Sequence, residues 1–120
     1  MNKNIYCENI YLKDSKGNIR FRISGDSVDN TFLELMDERG FSLLSLGIRD
    51  DGNIYVRISD KKATGRGVYL GNPEGQPTIS LNGEGSTPVV NICLQQYSNG
   101  EEGAHFSVVR SGKVVVEEDF

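Results

Sequence analysis

The chain has 120 residues, 37% hydrophobic and 25% charged, with 13 Lys and Arg against 17 Asp and Glu for a formal net charge of −4. At this length a single domain with a thin core is expected. No apolar run is long enough to span a membrane and no heptad or G-X-Y period is present. Two cysteines cannot staple a miniprotein, and an acidic balance lacks the positive footprint of broad nucleic-acid binding.

In chain order, Met1 to Ile10 is polar and has no basic head followed by an apolar run. No secretory signal is expected there, and a cytoplasmic, reducing setting is, or a virion-associated one. Cys7 and Cys93 lie far apart, and Cys93 in Val90-Asn91-Ile92-Cys93-Leu94 reads as a buried free thiol.

From residue 17 the chain repeats itself. Residues 17–46 (GNIRFRISGDSVDNTFLELMDERGFSLLSL) align without a gap on residues 52–81 (GNIYVRISDKKATGRGVYLGNPEGQPTISL), with ten identities in 30 positions. Composition alone would give about two. A single β-repeat domain is expected, with a leader over 1–16, copies over 17–51 and 52–86, and a degenerate third copy over 87–120.

Within each copy the period is two. Ile19, Phe21 and Ile23 alternate with Arg20, Arg22 and Ser24, and Ile54, Val56 and Ile58 alternate with Tyr55, Arg57 and Ser59. Such alternation sets one face toward a core and the other toward water. The punctuation is hairpin chemistry: Asp14-Ser15-Lys16-Gly17, Asp37-Glu38-Arg39-Gly40, Arg49-Asp50-Asp51-Gly52, Asn72-Pro73-Glu74-Gly75 and Ser98-Asn99-Gly100. These signals predict an all-β fold of about ten short antiparallel strands with essentially no helix. Its architecture would be a β-prism, a solenoid or a small barrel, completed by homo-oligomerisation, a trimer being one form. The last strand, ending in Glu117-Glu118-Asp119, reads as an edge protected by charge.

The stretches Leu12-Lys13-Asp14-Ser15-Lys16-Gly17-Asn18-Ile19-Arg20 and Leu35-Met36-Asp37-Glu38-Arg39-Gly40 resemble the L-x-D-x-x-G-x-x-R units of bacterial and phage β-repeat proteins. The second unit departs from that pattern by carrying Leu43 where a basic residue would stand. The resemblance implies a non-catalytic protein, in some cases part of a phage fibre or surface assembly. The repeat length is also similar to that of three-fold β-prism lectins, but the Q-x-D-x-N-x-V-x-Y sugar signature of the monocot type does not occur.

Residues able to do chemistry are few. His105 is the only histidine and has apolar neighbours in sequence, and no nucleophile elbow or zinc-ligand spacing accompanies it. Asp26-Ser27-Val28-Asp29-Asn30 and Asp50-Asp51-Gly52-Asn53 offer calcium-type oxygens, but neither completes a calcium loop, and turns use the same residues. No catalytic residue, metal or cofactor is therefore expected.

The segment Asp60-Lys61-Lys62-Ala63-Thr64-Gly65-Arg66-Gly67 is the strongest binding candidate. It replaces the acidic linker of copy one with a basic one, so Lys61, Lys62, Thr64 and Arg66, with Arg57 and Arg22 on the polar strand face, would receive a phosphorylated small ligand or nucleotide. The leading functional expectation is a non-catalytic, self-associating structural or interaction module of a phage or bacterial surface assembly. Ligand sequestration by the basic loop is the first alternative, and inhibition of a protein partner through acidic patches such as Glu101-Glu102 is the second. No membrane association is expected.

Overall fold

The computed structural model describes residues 3–27, 30–49, 52–62 and 64–120. The chain forms ten strands there: β1 (Asn9–Lys13), β2 (Ile19–Ser27), β3 (Asn30–Met36), β4 (Ser42–Ile48), β5 (Ile54–Ser59), β6 (Gly67–Gly71), β7 (Thr78–Asn82), β8 (Pro88–Gln96), β9 (Glu102–Arg110) and β10 (Lys113–Asp119). Two single turns of 3-10 helix, Pro73–Gly75 and Glu84–Ser86, interrupt them. The expected all-β class and strand number hold.

Each strand pairs antiparallel with the next, giving one meander in the order β1 to β10. The strands β2–β4 and β5–β7 fall at positions compatible with 35-residue copies, and β8–β10 fill the span assigned to the third. Three antiparallel strands per copy reverse the direction of successive copies while keeping their faces.

The predicted turns at 14–17 and 37–40 close in the same way. The Gly17 amide donates to the Asp14 carbonyl at 3.0 Å and the Gly40 amide to the Asp37 carbonyl at 3.1 Å. At each site the aspartate carboxylate also accepts the amides two and four residues on. A type I turn followed by a left-handed glycine forms the loop, and the carboxylate holds it closed.

The sheet is a single open layer, not a barrel. Its extents are 53 × 36 × 22 Å and its radius of gyration is 17.9 Å, against about 14 Å for a compact chain of this length. β1 and β10 form the two open edges. The β1–β2 register shifts between Leu12 and Lys13, and the β9–β10 register shifts between Val114 and Val116. Both edge strands thus carry irregularities, and β10 ends in the anticipated acids.

Candidate functional site

The registers place side chains in continuous rows across all ten strands. One row runs Ile10, Ile23, Leu33, Leu46, Val56, Leu70, Ile79, Ile92, Phe106, Glu118, from β1 to β10. Its neighbour on the same face runs Leu12, Phe21, Leu35, Leu44, Ile58, Val68, Leu81, Val90, Val108, Val116. Nineteen of these twenty positions are apolar and none is buried. Leu12 is 57% exposed, Leu81 48%, Ile58 and Ile79 46% each. A face of this kind belongs to a core, and nothing within the described residues lies over it.

The opposite face holds Tyr11, Arg22, Glu34, Ser45, Arg57, Tyr69, Ser80, Asn91, Ser107 and Glu117 in one row. Beside it run Asn9, Ser24, Phe32, Gly47, Tyr55, Gly71, Thr78, Cys93, His105 and Asp119. Among the described residues nearly every buried one is here: Ser24, Ser45, Gly47, Ser80 and Cys93. They are small, and long neighbours shade them. The Arg22 guanidinium sits 4.7 Å from the Phe32 ring centre and pairs with Glu34 at 2.7 Å. Tyr69 lies along Gly71, where a Cβ would have no room.

No known protein family, curated protein or solved structure matches this chain.

The six anticipated ligand residues divide. Arg57 and Thr64 border one depression of about 530 Å³ on the polar face, with Glu34, Ser45, Tyr55 and Ser86. Lys61 and Lys62 border a second, of about 510 Å³, beside Arg20, Asp37 and Arg39. Arg22 borders a third with Tyr11 and Asn18, and Arg66 is exposed. Several are already occupied. Arg57 donates to Ser86 Oγ at 2.9 Å, and the Thr64 hydroxyl donates to the Asp60 carboxylate at 3.0 Å. Arg39 donates to the Lys61 carbonyl.

The loop itself is built. The Asp60 amide donates to the Arg66 carbonyl at 3.0 Å, and the Gly85 amide to the Thr64 carbonyl at 2.8 Å. Gly65 has φ +91°, and a Cβ there would stand 2.5 Å from the Ser86 amide nitrogen. Only glycine lets this loop seat on the 83–86 turn. Ala63 lies outside the described residues.

His105 occupies an arrangement that spacing did not reveal. It stands between Cys93 and Asp119 in one row, with its Nδ1 2.7 Å from Asp119 Oδ1 and its Nε2 3.5 Å from Glu117 Oε1. Cys93 is 7% exposed and makes no hydrogen bond to the imidazole among the described residues, so the thiol lacks the contact that would activate it. Of the acidic clusters, Asp29, Asp50 and Asp51 lie outside the described residues. Among those described, no group of three or more His, Cys, Asp or Glu is placed to hold a metal ion, and no helix is long and apolar enough to cross a membrane.

Two turn aspartates are electrostatically perturbed. Desolvation pushes the Asp37 carboxyl up, but the Arg39 side chain and the Phe41 and Arg39 amides outweigh it and hold it below the ordinary carboxylate range. At Asp14, desolvation is likewise outweighed, by the Asn18 side chain, the Asn18 and Lys16 amides and Arg20.

Proposed function

We propose that this protein is a non-catalytic β-repeat module that works by self-association, as a structural or interaction part of a larger assembly. One observation carries the reading: nineteen of twenty ladder positions on one face are apolar, and among the described residues no second layer covers them. Water contact across such a face is costly, at about 25 cal/mol per Å² of apolar surface, and a second subunit removes it. The acids that end β10 support the same view, since they discourage strand addition at that edge while the apolar face carries only one acid, Glu118, in its two rows. The turn units' resemblance to phage and bacterial β-repeat proteins supports placing the module in a phage or surface assembly. Light scattering tests the proposal. An oligomer is expected at micromolar concentration, reduced to monomer by Leu46→Glu with Ile79→Glu; a wild-type monomer overturns it.

A second reading, capture of a phosphorylated small ligand, is favoured by the depression that Arg57 and Thr64 share between the 60–66 loop and the 83–86 turn. Glu34, in the same depression, works against an anion there. Calorimetry with a nucleotide panel decides it: heat lost in Arg57→Glu supports capture, and no heat from any nucleotide ends it.

A further inference from the structure

We infer that the occupant of the apolar face is the same face of a second copy, in an isologous two-layer sandwich whose two-fold axis runs along the strands between β5 and β6. The inference rests on the self-association reading above and adds the partner surface and its orientation.

The first argument is area. The chain exposes 8805 Å², whereas a compact monomer of 13.3 kDa exposes about 6,400 Å². The excess, about 2,400 Å² per chain, lies within the range that obligate homodimers bury, about 1,000–2,500 Å² per partner. One copy of an equal face is therefore enough to cover it.

Composition is the second argument. Apart from Glu118 at the β10 edge, both central rows consist of Leu, Ile, Val and Phe, with Val56, Ile58, Val68 and Leu70 in the middle. Facing sheets of this kind interdigitate about 10 Å apart to make a sandwich core. The polar face offers no such partner, because its Arg, Glu, Asn and His groups would need matching charges.

Orientation follows from the one charged residue in the apolar rows. Glu118 stands at the β10 edge opposite Phe106. An axis perpendicular to the strands would bring the Glu118 carboxylates of both copies to one edge, a like-charge contact. An axis parallel to the strands sets β10 over the partner's β1, separates the two carboxylates by the width of the sheet, and leaves each at the solvent edge at the height of Ile10 on the partner. Both polar faces, with their Tyr and Arg rows, then look outward on opposite sides of the dimer.

Cysteine placement tests this in the Cys7→Ser background. Leu70→Cys lies beside the axis, Val56→Cys gives a second probe across it, and Ser107→Cys marks the polar face. A short bismaleimide is expected to link Leu70→Cys and Val56→Cys copies into covalent dimers at several times the yield of Ser107→Cys. In co-refolded mixtures it should join Leu12→Cys to Val116→Cys, while neither alone forms a dimer. Equal yields on both faces overturn the sandwich, and homotypic links at Val116→Cys overturn its orientation. Light scattering on the same samples separates the failures: an oligomer with the wrong cross-links sinks only the arrangement, and a monomer sinks self-association with it.

Discussion

The same ten strands build both faces of this sheet, yet the two faces treat their small and large residues in opposite ways. On the polar face, Ser24, Ser45, Ser80 and Cys93 disappear beneath neighbours such as Arg22, Phe32, Tyr55 and Tyr69. The arginine and tyrosines have long, amphipathic stems that cover the sheet while their polar tips reach water or a partner, and the Phe32 ring lies under the Arg22 guanidinium. On the apolar face, Leu, Ile and Val stand side by side at similar height. Short branched side chains cannot fold over one another, so each keeps part of its surface open. A single layer can shade its own polar side with arginine and tyrosine; its aliphatic side needs a second layer.

The sharpest way to break this contrast is to truncate each face in turn. Leu70→Ala should destabilise the assembled protein by about 2–5 kcal/mol, as in a filled core, whereas Ser107→Ala should stay within about 0.5 kcal/mol. Urea denaturation measures both, and the Leu70 effect should grow with protein concentration because dissociation is coupled to unfolding. A small, concentration-independent Leu70 effect would mean that the face is left wet.

The next largest effect concerns the loop that walls the polar-face depression. Gly65→Val forces a β-branched residue into positive φ and against the Ser86 amide, at a cost of about 1–3 kcal/mol. Nuclear magnetic resonance shifts should move at Thr64, Gly85 and Ser86 while light scattering is unchanged. Loss of the oligomer in this variant would tie the two faces together.

A smaller effect is expected where the polar face is held by charge. Arg22→Met removes the pair with Glu34 and the Phe32 contact, costing about 1 kcal/mol, read by thermal unfolding with and without salt. The smallest belongs to the turns. Asp37 has a lowered folded-state pKa, so its contribution is complete above the unfolded value and is lost as pH falls through the folded one. Asp37→Asn should therefore narrow the stability gap between neutral and acid pH, and an unchanged acid profile would contradict the turn's role.

Much of this was legible in the residues. Asp14-x-x-Gly17 and Asp37-x-x-Gly40 specify their loops because side chain, backbone and glycine all act within five positions. The period of two over 19–24 and 54–59 fixed which side chains share a face, since a one-residue slip would invert every one of them. The sorting of the Lys61, Lys62, Thr64 and Arg66 cluster was not legible. Proximity in sequence suggested one cradle, but strand geometry sends the lysines and Thr64 to different depressions and spends the threonine hydroxyl on Asp60. The Cys93, His105, Asp119 row was equally hidden, because its members come from three strands whose register is set by two turns and a bulge.

The sequence by itself determined the strands, the turns and the two-sided character of the chain, because each follows from interactions between residues a few positions apart. Only the tertiary structure decided that the strands form a single open layer instead of closing on themselves. That choice depends on how twist, register shifts and edge charge add up across ten strands, a sum that no local stretch contains.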